Sequence, residues 1–94
     1  MRLELDVNGE PVEFVLDTGS QASLIKSSTW ELLKSPLYKT DQVLLSAGGH
    51  ALDVKGKTVV NITGKHSANT ALVYVVGDAQ DNLLGHDEIE EMGL

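Results

Sequence analysis

The stretch Phe14-Val15-Leu16-Asp17-Thr18-Gly19-Ser20 decides the interpretation of this chain of 94 residues. Its apolar residues lead directly into an acid, a hydroxyl and a glycine, so we expect a strand that delivers Asp17 into a loop. Gly19 suits a turn in which a closely approaching backbone leaves no room for a Cβ atom. Asp-Thr-Gly alone is a weak signal, because the tripeptide also suits an ordinary surface turn. The rest of the chain must therefore support the interpretation.

The composition is that of one small acidic domain covering residues 1–94. A formal net charge of -7 disfavours nucleic acid and anionic membranes as partners, because phosphate binding requires clustered lysine and arginine. The chain has no cysteine, and its histidines lack metal-ligand spacing: His50, His66 and His86. We therefore expect neither a metal nor a cofactor. No membrane span or signal peptide is recognisable, so we expect an intracellular, cytoplasmic location.

Alternating apolar residues predict a β-rich fold. Segments 3–7 and 12–16 alternate on either side of Asn8-Gly9, which is a strong hairpin signal. Residues 22–26 read as a further short strand, and the continuous apolar segment 70–76 predicts a central strand.

Two short helices are expected between and after these strands. Ser28-Thr29-Trp30-Glu31 has the form of a capping box, which predicts a helix over residues 28–34 that Pro36 stops. A second helix is expected over residues 86–92, closed by Gly93.

A second motif near the C-terminus strengthens the interpretation of the first. The matching elements follow one order along nearly the whole chain: a hairpin, residues 14–20, Ser23-Leu24-Ile25, Trp30, the Gly48-Gly49 segment, Val73-Tyr74-Val75 and Asn82-Leu83-Leu84-Gly85-His86-Asp87. In this order the chain resembles the retropepsins, the single-domain aspartic proteases of retroviruses and long-terminal-repeat retrotransposons. The Ty3/gypsy-type retroelement proteases are the most similar group.

The resemblance implies an all-β fold, a closed retropepsin-like acid protease β-barrel with a flap hairpin and one or two short helices. It also implies a homodimeric aspartic endopeptidase with one catalytic Asp17 from each chain, acting on a peptide or on a retroelement Gag-Pol polyprotein. Two carboxylates in contact cannot both ionise fully, so the pair shares one proton. The ionised member then acts as a general base on water, and the protonated member polarises the scissile carbonyl.

The resemblance also assigns roles around Asp17. Thr18 is expected to hold the two active-site loops together, while Ser20 offers a hydrogen bond to the carboxylate. Residues of the second motif are expected to pack under the catalytic loop and support it: Leu83, Leu84 and Gly85. The flap is expected over residues 46–56, with Gly56-Lys57 allowing a further bend. The expected substrate-binding residues are Gly19, Gln21, Ala22, Ala47, Gly48, Gly49 and His50.

Two departures from the retroviral pattern concern the dimer. Many retroviral members carry an ion pair where this chain has Gln21 and His86, so a neutral hydrogen bond is one expectation and a solvated His86 at a helix start is the other. No apolar strand follows Gly93-Leu94, whereas retroviral members interleave their terminal strands. Trimmed ends or a different mode of pairing both predict a weak dimer whose activity depends on concentration.

Two other interpretations compete with the enzyme. A non-catalytic retropepsin-like module could bind peptides or a partner chain, although nothing in a binding role requires Asp-Thr-Gly-Ser at residues 17–20. An unrelated acidic β domain with a chance Asp-Thr-Gly is disfavoured by the order of the two motifs. The strength of dimerisation separates the enzyme from the binding module, since a single Asp17 cannot carry out the mechanism.

Overall fold

The computed structural model describes residues 1–46, 48–78 and 80–94. The elements in chain order are β1 (Arg2–Val7), β2 (Glu10–Leu16), β3 (Leu24–Lys26), α1 (Ser27–Leu33), β4 (Val54–Thr63), β5 (Ala68–Val76), β6 (Leu83–Leu84) and α2 (His86–Glu91). Neither helix in the described ranges is long and apolar enough to cross a membrane.

The strands form a closed barrel in the order β1-β2-β6-β3-β5-β4. Antiparallel pairing of Asp6 with Thr63 and of Val7 with Ile62 joins β1 to β4 and completes the ring. The short strand β6 lies parallel to β2 and antiparallel to β3, so it fills the space between them. The predicted closed, largely β barrel is confirmed, and β6 is the element that brings the two sequence motifs together.

The core follows from the period-two pattern of the long strands. Alternate residues of β1, β2, β4 and β5 point inward, because successive side chains of a strand leave opposite faces. The most deeply enclosed apolar side chains come from all six strands: Val7, Phe14, Ile25, Ile62, Val73, Val75, Val76 and Leu84. The predicted central strand 70–76 therefore belongs to β5, which begins two residues earlier, at Ala68.

Local turn chemistry sets the first hairpin. Asn8 and Gly9 both have positive φ, 52° and 88°, which suits the tight turn between β1 and β2. The Asn8 side chain also accepts a hydrogen bond from the Asn61 amide at 2.8 Å, which ties the turn to β4. The hairpin prediction is confirmed.

The capping-box prediction for α1 is wrong. The helix begins at Ser27, Lys26 is its N-cap residue, and no cap side chain bonds to its first turn. Instead Asp78, from the loop after β5, accepts a hydrogen bond from the Ser28 amide at 3.0 Å. This backbone hydrogen bond, with hydroxyl bonds from Ser28 and Ser27, holds the pKa of Asp78 below its ordinary value of 3.8. The helix ends at Leu33, because its C-cap residue Lys34 has a φ of 55°, which breaks the helix before Pro36 is reached.

Three other boundaries differ from the sequence-based expectation. The third strand begins at Leu24 rather than at residue 22, and α2 ends at Glu91 with Met92 as its C-cap. Gly56-Lys57 is not a bend but part of β4, at a register irregularity after Val54. A Cβ atom on Gly56 would lie 2.6 Å from the Tyr38 carbonyl oxygen, so the glycine permits a close approach of two backbones.

Candidate active site

Asp17 follows the last residue of β2 and lies exposed at the mouth of the barrel. Its amide donates to the Leu84 carbonyl at 3.0 Å, and its own Oδ1 accepts a hydrogen bond from the Gly19 amide at 3.0 Å. The Ser20 amide donates to the Asp17 carbonyl at 3.2 Å, which closes a tight loop. The backbone therefore holds the carboxylate at a fixed place while its outer side remains open.

Ser20 does not contact the carboxylate as expected. Its hydroxyl donates to the Ala22 carbonyl at 2.9 Å, so the predicted hydrogen bond to Asp17 is wrong within the chain. Thr18 and Gly19 are exposed beside Asp17. Both lie where a second loop or an extended peptide could reach them.

The second motif lies directly under this loop. Strand β6 pairs Leu83 with Val15 and Leu84 with Leu16, and the Leu84 side chain is fully buried. A Cβ atom on Gly85 would lie 2.7 Å from the Ala22 carbonyl oxygen and 2.9 Å from that of Ser20. Only glycine fits between these backbones without displacing one of them.

A buried hydroxyl connects the loop, the second motif and α2. Ser23 is 2% exposed, and its Oγ accepts a hydrogen bond from the Gly85 amide at 2.9 Å. The same hydroxyl donates to Glu88 Oε2 at 2.9 Å, and the Ser23 carbonyl accepts from the Tyr74 amide at 3.0 Å. In the sequence, Ser23 stands out only as part of the Ser23-Leu24-Ile25 motif. The signal available was a polar residue inside the apolar segment 22–25.

Gln21 and His86 do not replace the retroviral ion pair with a neutral hydrogen bond inside this chain. The His86 side chain lies at the start of α2, with its Nε2 2.8 Å from Glu90 Oε2. Gln21 is exposed and lines a neighbouring cleft. The alternative expectation, an exposed histidine at a helix start, describes the observed position.

Residues 44–46 and 50–52 form the two arms of a hairpin that overlaps the predicted flap of residues 46–56. Its arms are joined by hydrogen bonds from the Leu52 amide to the Leu44 carbonyl and from the Ser46 amide to the His50 carbonyl, both at 2.8 Å. Gly49 has a φ of 82° near the tip, where L-amino acids with a side chain are strained. Residues 54–56 of the predicted flap belong instead to β4. Ala47, one of the expected substrate-binding residues, lies outside the described residues.

A cleft of about 550 Å³ opens between the catalytic loop, the hairpin, β5 and α2. It is lined by Ser20, Gln21, Ala22, Ser23, Leu24, Gln42, Leu44, Leu45, Leu52, Leu72, Tyr74, Asp87 and Glu88. Gln21 and Ala22 are thus brought to a concave surface, whereas Gly48, Gly49 and His50 stand exposed on the hairpin. Asp17 lies beside this cleft rather than in its lining.

No cluster of three metal-ligating side chains occurs in the ranges that the structure describes. The site presents the Asp17 carboxylate on a braced loop beside a concave surface.

Comparison with known proteins agrees with this geometry. Residues 3–91 match the family described as "gag-polyprotein putative aspartyl protease". Over 85 residues, the chain is 42% identical to the uncharacterized protein K02A2.6 of Caenorhabditis elegans. That match covers 89% of this chain but only 7% of the curated relative.

Solved structures show the same fold. The EIAV protease in complex with the inhibitor HBY-793 matches with a TM-score of 0.86 at 23% identity, covering 99% of this chain and 88% of that one. The retroviral protease-like domain of Ddi1 from Leishmania major matches with a TM-score of 0.71 at 18% identity, covering 96% and 74%.

Fold and site together define a retropepsin-like aspartic protease domain. The chain belongs to the gag-polyprotein aspartyl protease family, whose match extends over both motifs and all of the strands except the first residue of β1. The narrower assignment to the Ty3/gypsy type stays a prediction.

Proposed function

We propose that this chain is a single protease domain and one half of a homodimeric aspartic endopeptidase. The observation that carries the proposal is the presentation of Asp17: a carboxylate fixed by the Gly19 amide, exposed, and anchored to β6 through the Leu84 carbonyl. The sequence has a single Asp-Thr-Gly motif, so it supplies only one of the two catalytic aspartates. A second copy related by a two-fold axis supplies it.

In the proposed dimer, the two Asp17 carboxylates share a proton and activate water between them. The exposed Thr18 of each loop is the residue that bridges to the partner loop, and Gly19 offers its carbonyl to the substrate backbone. Leu83, Leu84 and Gly85 support the loop from below, consistent with the pairing of β6 with β2.

The substrate is an extended peptide lying between the hairpin of residues 44–52 and the catalytic loop. Backbone hydrogen bonds along such a strand provide affinity, and concave pockets select its side chains. Gln21, Ala22, Ala47, Gly48, Gly49 and His50 are the proposed contacts. The natural substrate we propose is a retroelement Gag-Pol polyprotein, processed in an intracellular particle or in the cytoplasm.

The proposal is tested by cleavage of a mixed peptide library at mildly acidic pH over a wide range of protein concentration. We expect the rate to rise more steeply than linearly with protein, because only the dimer is active. Asp17→Asn should abolish cleavage, whereas the matched change Asp41→Asn, at an exposed position outside the loop, should not.

Sedimentation decides between the enzyme and a binding module. A protein that is dimeric by sedimentation yet cleaves nothing contradicts the enzyme and favours a module that binds peptides. A protein that remains monomeric and inactive at every concentration contradicts self-association of this chain as the source of the second Asp17.

A further inference from the structure

The cleft beside the catalytic loop has an apolar surface and an acidic surface, and one long side chain can contact both. Its apolar lining comes from the hairpin and from β5: Leu44, Leu45, Leu52, Leu72 and Tyr74. Asp87 and Glu88, from the first turn of α2, are the only charged residues in its described lining. The cleft thus offers aliphatic contact and negative charge within one volume of about 550 Å³.

The negative charge is not neutralised within the described part of the chain. Neither Asp87 nor Glu88 lies within ion-pair distance of a described cation, whereas the neighbouring Glu90 is paired with His86 at 2.8 Å. An unpaired carboxylate in a concave site attracts a cationic ligand more strongly than one on an open surface.

The carboxylate of Glu88 is also held in place. Its Oε2 accepts the Ser23 hydroxyl at 2.9 Å, and Ser23 is itself 2% exposed and bonded to the Gly85 amide. A carboxylate fixed in this way loses little side-chain entropy when it binds a ligand. No described donor bonds to the other oxygen of Glu88, which leaves it available.

The position of the cleft relative to Asp17 limits which substrate residue it can hold. Its lining begins at Ser20 and includes Gln21 and Ala22, but not Asp17. A peptide whose scissile bond lies at Asp17 would therefore place in the cleft the side chain of a residue near the bond, but not of the two residues that the bond joins.

From these observations we propose that the cleft is a specificity pocket for a lysine or arginine side chain flanking the scissile bond. The aliphatic stem packs against the leucines, and the cationic head meets the carboxylates of Glu88 and Asp87. Lysine and arginine combine an apolar stem with a charged tip in this way. This inference rests on the proposed peptidase function and deepens it by naming a class of substrate.

The test uses pools of decapeptides that are randomised among Ala, Leu, Val, Phe and Ser, with one position in turn fixed as Lys, Arg, Gln or Glu. Wild-type protein should cleave the Lys or Arg pools about fivefold faster than the Gln pool at one position, the size expected for a partly exposed ion pair. The preference should shrink in 1 M NaCl, where the Debye length falls to about 3 Å.

Glu88→Gln removes the charge but keeps an oxygen that can accept the Ser23 hydroxyl, so the fold should persist. We expect this variant, and to a lesser extent Asp87→Asn, to reduce the cationic preference to less than about twofold. Glu91→Gln makes the same chemical change on the same helix outside the cleft and should leave the preference intact.

Two outcomes overturn the inference while leaving the proposed function standing. One is efficient cleavage with no cationic preference at any position, and the other is a preference that Glu88→Gln and Asp87→Asn leave unchanged. Should no pool be cleaved, the proposed function fails. Binding of the same pools, labelled with fluorescein, to the Asp17→Asn protein then decides the inference separately, because selective binding of the Lys or Arg pools supports it and equal binding contradicts it.

Discussion

The segments that support Asp17, namely Ser23 and Leu83 to Gly85, are called the floor of the site. The floor and the hairpin of residues 44–52 are held together in contrasting ways. Under Asp17, hydrogen bonds join segments that are distant in sequence, such as Asp17 to Leu84 and Gly85 to Ser23. In the hairpin of residues 44–52, the hydrogen bonds of the described residues run between its own two arms. The loop that carries Asp17 is therefore tied to strands distant in the sequence, whereas the described hydrogen bonds of the hairpin tie it only to itself, so we expect the hairpin to open at a lower free energy than the loop.

Substitution of a glycine in each region gives the largest expected difference in stability. Gly85→Ala should destabilise the protein by about 3 kcal/mol, because the new Cβ atom meets two backbone carbonyl oxygens that cannot easily yield. Gly49→Ala places a Cβ atom in open space and should cost only about 1 kcal/mol, for its positive φ. Urea unfolding of both variants measures the difference. Equal losses of stability in the two variants would contradict a more tightly packed floor.

The buried hydroxyl under the loop gives the next largest effect. Ser23→Ala leaves the buried Gly85 amide without its acceptor and should cost about 2 kcal/mol. Ser46→Ala, which removes a 3.3 Å contact from the exposed hairpin, should cost less than about 0.5 kcal/mol. Midpoints of urea unfolding check both values. A loss at Ser46 as large as that at Ser23 would remove the distinction between the two regions.

Hydrogen exchange of backbone amides measures the same difference in the unmutated protein. The amides of Asp17 and Gly85 should exchange at least about 100-fold more slowly than those of Ser46 and Leu52, because the floor opens only with the barrel. Mass spectrometry or NMR of the unliganded protein provides the measurement. Similar protection at the two places would show that the hairpin is as firmly held as the floor.

The smallest expected effect concerns the capping of α1. The depressed pKa of Asp78 means that its stabilisation is present above its ordinary value of 3.8 and is lost as the pH falls through the lower value of the folded state. Asp78→Asn should therefore lower Tm more at pH 6 than at pH 2.5. Asp41→Asn is the control, and it should change Tm little at either pH. A Tm difference for Asp78→Asn that is the same at both pH values would contradict the cap.

What the sequence could predict depended on whether the interaction was local. Asn8-Gly9 specified its own turn, and the alternation in β1 and β2 specified which side chains are buried, because both depend on near neighbours in the chain. The parallel pairing that places Leu84 beside Leu16 was available only through resemblance to a family.

The interactions that the sequence could not predict join distant segments. Asp78 caps a helix that starts 51 residues earlier at Ser27, and this distant cap replaced the expected local capping box. Ser23 bonds to Gly85, 62 residues away. Gly56 was expected in a bend, but it lies in β4, where the lack of a side chain allows its backbone to approach that of Tyr38.

In the proposed enzyme, each active site needs two copies of Asp17, one from each chain. Asp17→Asn protein can be mixed in increasing proportion with wild-type protein at constant total concentration, allowed to exchange subunits, and assayed for peptide cleavage. We expect activity to fall as the square of the wild-type fraction, since a mixed dimer has only one of the two carboxylates. A linear fall would contradict it, because each wild-type chain would then be working alone.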